Sequence, residues 1–248
     1  MVIQTQQLFR VSLLTLVGVG VVGGWAGIAQ AQSGDDLVKP RCERRGGDNW
    51  ICAYIKENPG SAPYKSYEGQ MRNGIPNGRG ILVYSNDDRY EGQVRNGIPN
   101  GQGMFLFANN DRYEGGIKNG QPHGQGAFTM ANGDRYIGSV KEGSPHGQGV
   151  FTFSNGSVYS GTFYLGQAKG QGVFVSKGIR CQGVFFSSQL SGRGSCAYPA
   201  GSTYRSYSGE LRGAKPEGRG VMVFADGKRF SGEFRDGLPF DPKMNSQK

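Results

Sequence analysis

The chain has two histidines and four cysteines in 248 residues, and no CxxC pair among them. That leaves little from which to build a metal centre. No HExxH, no nucleophile elbow and no Walker-type loop is present, so hydrolytic and nucleotide-dependent chemistry find no foothold. Carboxylates are also in the minority, 19 against 28 lysines and arginines, a net charge of +9. The excess favours an anionic partner. Its positive charges alternate with glutamates, however, and nucleic acid is not an expected ligand. No cofactor is expected, and neither is catalysis.

What the chain has in quantity is glycine: 44 residues, with 11 prolines. Without order, such a composition points to disorder. Here the glycines fall in register. The stretch Tyr90 to Arg112, YEGQVRNGIPNGQGMFLFANNDR, recurs 23 residues later as YEGGIKNGQPHGQGAFTMANGDR and 23 residues earlier as YEGQMRNGIPNGRGILVYSNDDR. A fixed period of this length marks a repeat array. Repeats start at 67, 90, 113, 136, 159, 181, 207 and 230, the last one truncated.

Ahead of the array, residues 11 to 29 carry no charge, follow Arg10 and lead into Ala29-Gln30-Ala31. This reads as a signal peptide over 1–31 and an exported protein (periplasm, cell envelope or secreted), with a retained membrane anchor as the other reading. Residues 32–41 read as a flexible linker, 42–66 as a cysteine-containing cap and 67–248 as the array. Four cysteines allow three pairings. The stretches around Cys42/Cys52 and Cys181/Cys196 look like two copies of one piece, since Tyr64-Lys65-Ser66-Tyr67 follows the first pair and Tyr204-Arg205-Ser206-Tyr207 the second. Cys181 and Cys196 also hold places one and sixteen of the repeat, where other copies carry Tyr and Phe. If those places face each other across a hairpin, the expected bridges are Cys42–Cys52 and Cys181–Cys196.

Within a repeat, alternation puts Tyr90, Gly92 and Val94 on one face and Glu91, Gln93 and Arg95 on the other. Asn96 to Gly101 reads as a reversal and Gly103 to Ala108 as a second strand. Asn132-Gly133 and Asn155-Gly156, between copies, carry the strongest hairpin signal. Each repeat is then two antiparallel strands, marginal alone and stabilised by stacking on its neighbours. The fold class is all-β, a single-layer antiparallel sheet of consecutive hairpins.

The motif Y-x-G-x-x-x-x-G-x-x-x-G-x-G, as in Tyr90, Gly92, Gly97, Gly101 and Gly103, resembles the MORN (membrane occupation and recognition nexus) repeat, from Tyr67 to about Pro239. The resemblance implies one elongated antiparallel sheet and a non-catalytic role: scaffold, dimerisation module or binder of acidic lipid. Departures fall near 160–206, where Ala168 and Lys169 replace the usual residues and the copy from Cys181 is three residues longer.

Two candidate surfaces follow. Arg72, Arg95, Lys118 and Lys141 hold place six, and Arg89, Arg112 and Arg135 place twenty-three, a candidate strip for acidic lipid or polysaccharide. The bland reading is a solvated face laced with ion pairs. Tyr67, Tyr90, Phe105, Tyr113, Phe128, Tyr136, Phe151 and Tyr159 form a ladder that reads as stacked core or as a groove for a ligand. His123 and His146 hold one place in adjoining copies, two strands apart, too far to share a zinc ion, and read as turn histidines. Partners are therefore a protein or a second copy of the chain, with acidic lipid or polysaccharide as the other class.

Overall fold

The computed structural model describes residues 41–53, 64–187 and 189–240. The expected signal peptide, almost all of the linker and the stretch after Phe240 lie outside the described residues. Those residues hold 18 strands and no helix, in one antiparallel sheet. No helix among them is long and apolar enough to cross a membrane.

By Cα proximity the described residues form two compact units, 41–144 and 145–240. The N-terminal unit holds β1 (Arg41–Gly46), β2 (Asn49–Ala53), β3 (Tyr64–Arg72), β4 (Ile75–Tyr84), β5 (Arg89–Arg95), β6 (Ile98–Leu106), β7 (Arg112–Lys118), β8 (Gln121–Thr129) and β9 (Arg135–Lys141). The C-terminal unit holds β10 (Ser144–Thr152), β11 (Val158–Tyr164), β12 (Gln167–Ser176), β13 (Ile179–Phe185), β14 (Gly192–Ala197), β15 (Tyr204–Arg212), β16 (Lys215–Phe224), β17 (Arg229–Arg235) and β18 (Leu238–Phe240). Inside each unit every strand pairs with its neighbours in the sequence.

The expected register holds. Tyr90 faces Phe105 in its own repeat, and Phe105 then faces Tyr113 of the next. The reversal is shorter than Asn96–Gly101, because β6 already begins at Ile98. Only Asn96 and Gly97 turn, both at positive φ (49° and 78°), the signature of a type I′ hairpin. The tight turn therefore lies inside the repeat. The Asn-Gly pairs between repeats sit instead in wider loops closed by side chains. Asn109 Oδ1 accepts from Asp111 N (3.0 Å), and Asp88 Oδ1 accepts from Ala108 N (2.8 Å).

The core is built from one motif. Glycines face each other in neighbouring strands, as in Gly92 opposite Gly103, and the ring of Tyr90 lies over them. A Cβ on Gly92 would come within 2.5 Å of the Tyr90 hydroxyl. Beyond the pair the strands slip out of register between Gly92 and Val94, a β-bulge that leaves the Gln93 carbonyl without a ladder partner. Tyr90 Oη donates to that carbonyl at 2.7 Å. Tyr67, Tyr113, Tyr136 and Tyr207 do the same to Gln70, Gly116, Ser139 and Glu210. Val94 and Pro99, both buried, close the row beyond the ring. At the tight turns Gly97 N donates to Pro76 O (2.9 Å) and Gly120 N to Pro99 O (2.8 Å), so each repeat is stitched to the one before.

The copy from Cys181 breaks this scheme. Cys181 faces Cys196 and the two are bonded, as Cys42 and Cys52 are at the start. No bulge forms. The ladder runs evenly from Arg180 opposite Ala197 to Phe185 opposite Gly192, and since β13 ends at Phe185 and β14 begins at Gly192, no two-residue turn joins them. The three extra residues fall between Cys196 and Tyr207, where β15 starts early, at Tyr204. Its irregularity between Tyr204 and Ser206 repeats the one between Tyr64 and Ser66 of β3, so the two cysteine pieces match in register as in sequence.

Two outcomes are expected in chemical denaturation. Gly103→Ala should cost about 1–3 kcal/mol, because the added methyl meets the Tyr90 ring. Reduction should lower stability by about 3 kcal/mol for each bridge, the two partners being 10 and 15 residues apart, and a midpoint unmoved by reductant contradicts that.

Candidate interaction surface

The aromatic ladder is core. Tyr67, Tyr90, Tyr113 and Tyr136 are fully buried, and Phe105, Phe128, Phe151 and Tyr159 are at most 4% exposed. Each tyrosine lies against its glycines and presents no open ring face. Burial disfavours the phenolate. It pushes Tyr113 and Tyr159 up to about 12; for Tyr67, also up to about 12, nearby Tyr64 adds to it. Tyr90 and Tyr136 are raised further, mainly by the same cause. Tyr159 Oη, unlike its counterparts, is buried with no hydrogen-bond partner.

The opposite face carries the charge, and the expected strip divides into two rows. Arg89 and Arg95 stand at opposite ends of β5, six residues apart, about 20 Å along a strand. The row nearer the wide loops is partly neutralised: Arg89 pairs with Glu91 (3.2 Å) and Arg112 with Glu114 (2.8 Å). Arg135 has Ile137 where its counterparts have glutamate. The row at the tight turns is different. Arg72, Arg95, Lys118 and Lys141 are exposed and have no ion pair among the described residues. Exposed apolar side chains share this face, Leu106 at 41% and Ile137 at 48%.

His123 and His146 lie within β8 and β10 rather than in turns, because the strands start earlier than expected. No cluster of three or more potential ligands for a metal ion occurs among the described residues.

The place-six column holds two residues that sequence reading passed over. Counting from Tyr159 and Cys181, it contains Tyr164 and Phe186. They are 47% and 62% exposed, among the most open large apolar side chains of the described residues. Lys169 Nζ sits 4.6 Å from the Tyr164 ring centroid, and the His146 ring is 5.2 Å from it. Arg212 and Arg235 continue the column in the same unit. Arg235 pairs with Glu233 (3.1 Å) and lies over the Phe240 ring, whereas Arg212 has no ion pair among the described residues. A depression of about 440 Å³ opens beside Phe186, lined also by Arg193, Glu210, Leu211, Arg212 and Arg235. Arg193 and Glu210 pair with each other across it (3.2 Å). A second, shallower one of about 870 Å³ is lined by serines, glutamines and glycines such as Ser160, Gln182 and Ser195. Six cations and two rings in one column were countable in the sequence. Their exposure was not.

A group whose pKa is raised in the folded state holds its proton longer than in the unfolded chain. Stability is then fully present below pH 10 and is lost as pH rises toward about 12. Phenolate absorbance of the ladder tyrosines should therefore appear together with loss of the β-sheet circular dichroism signal. Their ionisation near pH 10 with the fold intact contradicts this.

A family model for the MORN repeat matches residues 67–89, 90–112, 113–135, 136–158, 159–178 and 207–229, omitting the cysteine-bridged copy. None of the curated proteins matches the chain. Among solved structures it is similar to the TCP10 domain of Danio rerio CPAP, at 14% identity and a TM-score of 0.44, covering 78% of this chain and 89% of that one. It is also similar to the SAS-4 (dCPAP) TCP domain of Drosophila melanogaster, solved in complex with a proline-rich motif of Ana2 (dSTIL). There the identity is 9% and the TM-score 0.39, covering 83% of this chain and 96% of that one. Six matches in register over more than half of its length, on hairpins built around the tyrosine–glycine motif, mean that this chain belongs to the MORN repeat family.

Proposed function

We propose that the protein is an exported, non-enzymatic scaffold that holds protein partners, or a second copy of itself, on the charged face of its sheet. The observation that carries this reading is how the residues divide. The facing glycines and the ladder tyrosines are consumed in the core. The other face repeats open apolar and charged side chains around shallow depressions, with no convergent set of catalytic groups among the described residues. Mixed apolar and charged surface of this kind suits macromolecular contact. The two bridges fit an oxidising compartment, which supports export.

A second reading rests on the cations at the tight turns of the N-terminal unit, Arg72, Arg95, Lys118 and Lys141, which have no ion pair among the described residues. They suit acidic phospholipid or envelope polysaccharide. Capture of partners from a cell-envelope extract, on tagged protein washed at low salt and at 1 M salt, separates the two. The Debye length at 1 M is about 3 Å, so contacts made by surface charge alone are stripped. Protein partners should survive the wash. Recovery of salt-labile lipid or glycan and no protein overturns the scaffold reading in favour of the second.

A further inference from the structure

The place-six column of the C-terminal unit reads Tyr164, Phe186, Arg212, Arg235, whereas in the N-terminal unit it reads Arg72, Arg95, Lys118, Lys141. Two exposed rings have replaced cations where the repeat itself departs from its pattern. Tyr164 ends β11, and Phe186 directly follows β13, its N–H bonded to Ser191 O at 3.0 Å. Tyr159 and Cys181, five residues before each ring, lie in one line across β12, both facing Phe174. Phe163 and Phe185, the residues just before the two rings, are buried, so the rings themselves stand on the opposite face. Successive places in the column are thus two strands apart, about 9.6 Å.

A polyproline II helix has three residues per turn and rises 3.1 Å per residue, so it presents the same side about every 9.3 Å. Laid across the strands it would offer one residue per turn to each place in the column. Rings left open in a row are how proline-rich segments are held, because that backbone keeps its own hydrogen-bonding groups free and is ordered at little entropic cost. Arg212 is the next place after Phe186 and is exposed without an ion pair among the described residues, whereas Arg235 beyond it is taken up by Glu233 and Phe240. Lys169, over Tyr164, adds positive charge at the other end. The carboxylates nearby are engaged: Glu210 with Arg193, Glu233 with Arg235 and Glu217 with the Asp236 amide (3.0 Å).

We infer that Tyr164, Phe186 and Arg212 form a docking site for a proline-rich segment with the spacing P-x-x-P-x-x-E, prolines on the two rings and the acid on Arg212. The site deepens the scaffold reading, on which it rests, by naming the chemistry of one partner.

Fluorescence anisotropy of labelled twelve-residue peptides titrated into the full chain tests it. One set carries P-x-x-P-x-x-E in either chain direction, and the other carries the same composition scrambled. The spaced peptide should bind at least about tenfold more tightly than the scrambled one, and Phe186→Ala should remove that advantage. Arg212→Ala should weaken binding severalfold and flatten its salt dependence. Both side chains are exposed, and an unchanged melting temperature verifies that the variants are folded. Equal binding of spaced and scrambled peptides, or binding indifferent to Phe186→Ala, overturns the site. So does Phe186-dependent binding of polygalacturonate with no peptide bound, which would make the column a glycan site. Envelope proteins captured equally well by wild type and Phe186→Ala overturn this site but leave the scaffold reading standing. Capture of no protein at all overturns the scaffold reading alone, because the peptide titration decides the site independently.

Discussion

The fold depends on a tyrosine ring laid over two facing glycines, its hydroxyl bonded to the carbonyl that the neighbouring bulge leaves unpaired. The parts support one another. The ring can lie flat only because neither glycine has a Cβ. In five repeats the phenol bonds the backbone carbonyl three residues on, at 2.5–2.9 Å, whereas in the repeat from Tyr159 the strands slip between Gly161 and Phe163 without that bond. A buried carbonyl without a donor costs about 1–3 kcal/mol. A two-stranded hairpin has little stability to lose, so ring, glycines and bulge recur as a set.

The cysteine-bridged copy shows the dependence by exception. With Cys181 in place of tyrosine there is no ring to cover the glycines and no phenol for a bulge, and the ladder from Arg180 to Phe185 runs evenly. The covalent bridge supplies the cross-strand link that Tyr and Phe supply elsewhere. The bulge and the tight turn are lost together. A change of residue type at one buried place thus reshapes the surface one hairpin-length away. Stability and recognition are separated across the thickness of the sheet: the packed face tolerates few residue types, while the open face can change from cation to aromatic without disturbing a contact in the core.

Much was readable beforehand. The 23-residue period, the two strands per repeat, the faces of alternate residues and both disulfide pairings all follow from spacing, because a strand has a side-chain period of two and hairpin register is local. The turns were harder. Asn-Gly signals occur both inside and between repeats, as at Asn96-Gly97 and Asn132-Gly133, and only pairing decides which forms the two-residue hairpin. The charged strip looks like one feature in the sequence, because a sequence counts places and not the length of a strand.

The sequence alone determined the architecture, since every contact that defines a repeat is made within a hairpin or to the next one, and the repeating pattern carries that information locally. What tertiary structure decided was which side chains remain available. Arg89 and Arg112 are engaged by glutamates two residues away, Arg72 and Arg95 have no ion pair among the described residues, and Tyr164 and Phe186 stand open. Availability depends on distances between side chains, which have no periodicity that a sequence displays.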